Sequence, residues 1–208
     1  MIRTGLILVL AMSSVAMAED AKKGKAAPAA KPAAAPKMDP QMAAMMAAYE
    51  KAAAVGPEHK KLAELLGGDW TVEVKSFMGP GEPQKSTGTA KGTAILDGRF
   101  VMQEDHSTMM GKPFEGHMLI GYDNVSKKYQ TTWVDNMGTG ISTGEGTFDA
   151  SGKVLTITSS HNDAMTGKVK TERQVNTFES DKKHTVEIFM TGPDGKEVKG
   201  VEISFTRK

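Results

Sequence analysis

The stretch that decides the fold is Leu65-Leu66-Gly67-Gly68-Asp69-Trp70-Thr71-Val72-Glu73-Val74-Lys75. Upstream of it, Glu58 to Leu66 carries helical spacing, with Leu62, Leu65 and Leu66 on one face and Lys60, Lys61 and Glu64 largely off it. Pro57 fits the first helical turn, where its missing N–H is not needed. Gly67 and Gly68 permit the left-handed turn that stops a helix. Helical periodicity then gives way at once to alternation: Trp70, Val72 and Val74 share one face, Thr71, Glu73 and Lys75 the other. A short helix therefore hands over directly to a strand with one apolar face.

Downstream, the same alternation recurs in short runs. Small residues at 88, 90, 92 and 94 share a face of Thr87–Leu96. Asp97-Gly98 is a hairpin signal and leads into Arg99–Ser107, where Phe100 and Met102 are expected to point inward. Phe114–Tyr122, Lys128–Asn136, Ile141–Phe148, Val154–His161, Val169–Phe178, His184–Met190 and Glu197–Arg207 follow, separated by Gly-, Pro- and Asp-rich turns. Such runs at hairpin spacing, with no helix-length gap, predict a mainly β chain: an antiparallel barrel of about ten strands, closed so that no edge is left unpaired.

Gly-x-Trp entering a first strand after a short helix resembles the opening of calycin barrels, the lipocalins and their relatives. In those barrels an Arg on the last strand packs over the Trp. Arg207 stands at the matching place here, and a guanidinium on the Trp70 indole face is worth roughly 0.5–2 kcal/mol. A narrower resemblance rests on Gly98-Arg99-Phe100, Gly111-Lys112-Pro113-Phe114-Glu115-Gly116, Gly121-Tyr122-Asp123-Asn124 and Trp133-Val134-Asp135-Asn136-Met137-Gly138-Thr139-Gly140. With Pro57-Glu58-His59 and Gly68-Asp69-Trp70, these resemble the bacterial family known as domain of unknown function 1579, over roughly residues 57 to 207. The resemblance implies a calycin-like barrel. It implies no catalytic residue and no ligand.

Residues ahead of the barrel divide into three. Met1–Ala18 has one early positive charge, an apolar run and Ala16-Met17-Ala18, the pattern of a secretory signal peptide cleaved near Ala18. A periplasmic or secreted destination is expected. Residues 19–38 are an Ala/Pro/Lys linker, too poor in apolar surface to offset chain entropy. Residues 39–55 are expected to form a helix started by Asp39-Pro40, whose Met42, Met45, Met46 and Tyr49 form a stripe. The stripe is expected to pack on the barrel; its thioethers are also the soft ligands that Cu(I) prefers. The barrel domain spans 56–208. With a net charge of +1 there is no basic footprint for nucleic acid, and with no cysteine there are no disulfides. No stretch after the leader approaches the roughly 20 apolar residues of a membrane-spanning helix.

For the site, the alternation places several polar side chains on apolar faces. Glu104 and His106 follow Phe100 and Met102; Asp135 follows Trp133; Tyr122 follows Ile120; Arg173 lies between Thr171 and Val175. Arg173, Trp133, Asp135, Glu104, His106 and Tyr122 are therefore the expected ligand-binding set. An internal guanidinium would hold a ligand carboxylate or pair with Glu104 or Asp135. His161 and His184 share inward faces too, and with His106 they could ligate a metal, but no close metal spacing such as H-x-H accompanies them. No nucleophile elbow and no phosphate loop is present, and no cofactor is implied. The leading expectation is a barrel that binds a small amphipathic or anionic molecule. The alternatives are a periplasmic copper or zinc binder, a hydrolase and a purely structural module.

Overall fold

The computed structural model describes residues 38–164, 166–192 and 194–208. The signal-peptide reading of 1–18, and the linker reading up to residue 37, lie outside the described residues. Two helices, α1 (Pro40–Ala53) and α2 (Pro57–Leu66), precede ten strands. These are β1 (Gly68–Ser76), β2 (Gln84–Ile95), β3 (Phe100–Met109), β4 (Lys112–Asp123), β5 (Lys128–Asp135), β6 (Ser142–Phe148), β7 (Val154–Asn162), β8 (Val169–Ser180), β9 (Lys183–Thr191) and β10 (Glu197–Arg207). Each strand pairs antiparallel with the next, and β1 pairs with β10, so the sheet closes into a barrel. The outer face carries charge, as in the Lys75–Glu202 pair at 2.7 Å and the Lys199–Glu187 pair at 3.0 Å.

One end of the barrel is plugged by α2. His59 closes the first turn: its Nδ1 accepts the Gly56 N–H at 3.1 Å, satisfying a donor that a helix start otherwise leaves free. The buried Leu62 and Leu66 then enter the barrel and meet Val101, Ile120, Leu155, Ile157 and Phe178. Burying each leucine contributes about 1.5–3 kcal/mol. The close approach requires a glycine beneath it: any side chain at Gly92 on β2 would collide with the Leu66 carbonyl oxygen. Gly68, at φ 101°, then makes the turn from helix to strand that a residue with a side chain adopts only under strain.

Arg207 ties the end of the chain to this plug. Its guanidinium lies 4.3 Å from the Trp70 ring and donates to the carbonyls of Gly67, of Glu64 at 2.8 Å and of Asp181 at 2.7 Å. The cation thus meets the unpaired carbonyls at the C-terminal end of α2, where the helix dipole favours it. Trp70 is fully buried and donates its indole N–H to Leu66 O at 3.1 Å.

Helix α1 departs from expectation. It has no buried residue, and Met42, Met45, Met46 and Tyr49 all face solvent, so the stripe does not pack on the barrel. The helix is held instead by its C-terminal carbonyls: the Asn124 amide donates to Ala52 O at 3.0 Å and Ala54 O at 2.7 Å.

Candidate functional site

Cross-strand register decides which side chains enter the barrel. A small internal cavity of about 20 Å³ is lined by Met118, Thr131, Ile157, Gln174, Asn176 and neighbours, so these positions mark the inner face of β4, β5, β7 and β8. That volume suits about one water. Stepping by two from those marks toward the opposite, open end gives the inner face there: Trp133 on β5, Ser159 and His161 on β7, Glu172 on β8. On β3, Gln103 stands opposite Met118 and Asp105 opposite Gly116, which puts both inside.

Asp105 is the distinctive member of this set. Gln103, itself buried, donates its side-chain amide to the Asp105 carboxylate at 3.0 and 3.2 Å. No ion pair among the described residues includes Asp105. Burial pushes its carboxyl up to about 6, against the smaller opposing pull of the Gln103 bond and of His106 and His117. Beside it the Trp133 ring lies across Gly116, where a side chain would collide with it, and stacks at 6.3 Å on Phe114. The Trp133 indole donates to Asp135 at 2.8 Å, and the other Asp135 oxygen accepts the Met137 N–H at 2.9 Å. Across the opening, His161 and Glu172 stand 4.0 Å apart, and Gln174 donates to Ser159 at 3.3 Å. The inner wall of this open half, the cup, thus carries the acidic and amide groups of Asp105, Gln103, Glu172 and Gln174, with His161 and Lys170 near the end of the strands and an indole at its lip.

The residues expected in the site do not all gather there. Trp133 and Asp135 do. Arg173 points outward: its guanidinium forks onto Glu197 at 2.8 and 2.5 Å and lies 4.1 Å from the Phe189 ring. The interior of β8 is polar, with Glu172, Gln174 and Asn176, so the side on which Val175 and Thr177 lie is the outer one. Glu104 and His106 also face outward, with Phe100 and Met102, because Val101 and Gln103 are the buried residues of β3. Phe100 is shielded on that face by packing over Gly121. Tyr122 does face in, but at the plugged end, against His59 and Tyr129. The sequence reading passed over Asp105, Glu172 and Gln174. For Asp105 the signal was the small-residue face of β2, which runs across the turn onto Val101 rather than Phe100.

The three histidines considered as metal ligands are far apart in role. His106 is outside, His161 meets Glu172, and His184 is buried in the floor. His184 stacks on Phe205 at 4.3 Å and meets Trp70 edge-on at 4.7 Å. Its Nδ1 has no hydrogen-bond partner, and burial, with Arg207 nearby, pushes it down to about 4, so it is neutral. Among the described residues no group of three or more His, Asp or Glu side chains is placed to hold a metal. Outside the barrel, Glu115, His117, Val134, Asp135 and Asn136 border an open hollow of about 280 Å³. There His117 bonds Glu115 at 2.9 Å and holds its carboxyl below the ordinary value.

A family model described as protein of unknown function (DUF1579) matches residues 54–207, from the residue after α1 to the end of β10. The chain belongs to this family. No curated protein matches it. Among solved structures, the crystal structure of Rv2717c from M. tuberculosis is similar, with a TM-score of 0.57 and 14% identity over 74% of this chain and 99% of that one. A redesigned β-barrel matches at a TM-score of 0.38 and 14% identity over 70% of this chain and 94% of the other. At such identity the likeness to the M. tuberculosis protein is one of fold.

Proposed function

We propose that this DUF1579 chain is a periplasmic or secreted binding protein whose open half-barrel takes the polar end of a small amphipathic molecule. The observation that carries the reading is Asp105, a carboxylate on the inner wall with an amide partner and no cation. A buried polar group without full compensation costs free energy, and a ligand that donates hydrogen bonds or carries positive charge removes that cost. Trp133, Met118 and Ile188 on the same inner face supply apolar surface for the rest of such a molecule. The anionic half of the sequence expectation loses its support, because Arg173 lies outside. The signal-peptide pattern supports the compartment. With α2 occupying the other end, the cup is the part of the barrel left for a ligand.

The test uses primary dodecylammonium and dodecanoate, equal in chain length and opposite in head group, below their micellar concentrations. Binding is followed by the fluorescence of Trp133, isolated by subtracting a Trp133→Phe variant, since Trp70 is the other indole. Dodecylammonium is expected to bind saturably and at least tenfold tighter than dodecanoate at pH 7.5, with Asp105→Asn erasing most of the difference. Equal affinity for both amphiphiles, or no saturable binding of either, contradicts the reading.

A further inference from the structure

The two ends of the barrel differ in what they expose. At the plugged end the barrel itself exposes Leu96 and Val125, one in each of two turns, and α1, held to that end by Asn124, adds its exposed methionines. At the open end four of the five strand-to-strand connections contain or are flanked by one, and Val198 stands two residues beyond the fifth. Met78 (69% exposed) lies between β1 and β2, Met110 (84%) between β3 and β4, and Met137 and Ile141 (61%) between β5 and β6. Val169 (69%) opens β8 after the fourth connection, and exposed Val198 follows the fifth, in β10. Because the sheet is closed, these tips form a ring around the mouth of the cup.

Charge on the same rim is sorted. Asp163 is held by Lys170 at 2.6 Å, Asp194 by Lys196 at 3.7 Å and Glu197 by Arg173 at 2.5 Å. Lys112, two residues after Met110, and Lys168, just before Val169, are exposed and enter none of the ion pairs among the described residues. Glu82, exposed, and Asp135, held by the Trp133 indole, are the acidic groups on the rim that likewise stand outside those pairs.

We propose that the open rim docks on the surface of a lipid bilayer bearing anionic head groups. The tips dip into the interface, while Lys112 and Lys168 meet phosphate. A ring of separate apolar tips around the open end fits a flat, fluid surface that touches all of them together. Methionine suits it, since its flexible side chain packs against an irregular surface without a fixed shape. Basic residues beside anionic lipid add about 1 kcal/mol each by the usual membrane electrostatics. Docking this way would put the cup against the source of an amphipathic ligand, yet the proposal stands on the rim alone and is independent of what the cup holds.

The chain has no cysteine, so a single introduced one can carry an environment-sensitive fluorophore. Met110→Cys and Leu96→Cys, labelled with a nitrobenzoxadiazole dye, report the two ends separately. The vesicles are phosphatidylcholine with about one third phosphatidylglycerol, against pure phosphatidylcholine. The label at 110 is expected to brighten and shift to the blue on anionic vesicles, several-fold less on neutral ones, while the label at 96 stays unchanged. Adding Lys112→Glu and Lys168→Glu should weaken the response at 110 at least tenfold; Asp105→Asn should leave it intact, which separates this proposal from the one about the cup. A silent label at 110, or equal responses at both ends, overturns the proposal. The second of these outcomes is what adsorption through the lysines of residues 22–37 would give. So does a response at 110 without vesicles that grows with protein concentration, which would make the rim a contact between two copies.

Discussion

At the scale of single residues, Asp105 and Arg173 exchange the roles their neighbours suggest. Arg173 sits between Thr171 and Val175, yet its fork onto Glu197 is solvent-exposed. Such a surface pair is worth at most about 1 kcal/mol, so Arg173→Met should move stability by no more than that in chemical denaturation. Asp105 behaves in the opposite sense. Its folded-state pKa, about 6, lies above its ordinary value, so its favourable contribution is complete in acid and is lost as pH rises through about 6. Asp105→Asn should therefore stabilise the ligand-free protein by about 1–2 kcal/mol at pH 8 and by almost nothing at pH 4. His184 runs the other way. Its folded pKa is depressed to about 4, so the stability it supports is present above its ordinary value and is lost as pH falls toward 4. Comparing the variant with the wild type at each pH isolates Asp105, because His184 is common to both. These residues were hard to read because alternation alone has no absolute phase. Phe100-Val101-Met102 is apolar at three consecutive positions, and β8 has amides inside and β-branched residues outside. A one-residue difference in phase exchanges the two faces completely.

Elements were more legible than faces, for a physical reason. Turns are announced by Gly, Pro and Asp at fixed places, and closing the barrel needs only that each strand pair with its neighbours. Lys128, Val154 and Glu197 begin strands where alternation begins, and the Trp70 alternation begins two residues after Gly68 opens β1. The Asp97-Gly98 signal marks a real turn, although Leu96 and Asp97 both take positive φ and four residues separate Ile95 from Phe100. The phase of β3 was in fact present there. Ala94, on the small-residue face of β2, is joined through this turn to Val101, and that register sends Gln103 and Asp105 inward. What local sequence does not supply is the fate of α1, whose methionine spacing describes a face without naming anything to cover it. Helix α2 carries the prediction for this scale. Arg207 holds carbonyls of Glu64 and Gly67 and covers Trp70, so Arg207→Met keeps the apolar stem and loses the bonds. A loss of about 2–4 kcal/mol is expected in equilibrium unfolding, from two or more charge-assisted bonds and the stacked cation.

For the whole molecule, the arrangement is a closed barrel with one end consumed by a helix and the other left open. The plugged end supplies stability: two leucines, a caged Trp70 and a terminal arginine. The open end carries the polar interior, with Asp105, Glu172 and His161 on its walls and Trp133 at its lip. The division explains why the molecule has two indoles in unlike places, and it makes them separate reporters. The Trp70 indole N–H bonds Leu66 O in the floor, and the Trp133 indole N–H bonds Asp135 at the mouth. The most direct test of the cup is the two-dimensional ¹H–¹⁵N spectrum of these two indoles during titration with dodecylammonium at pH 7.5. The Trp133 signal is expected to move saturably while Trp70 stays fixed, and Asp105→Asn should push the midpoint of that movement at least several-fold higher in dodecylammonium. A Trp133 signal that does not move, or one that moves identically in the Asp105→Asn protein, contradicts the assignment of the open half-barrel as the binding site.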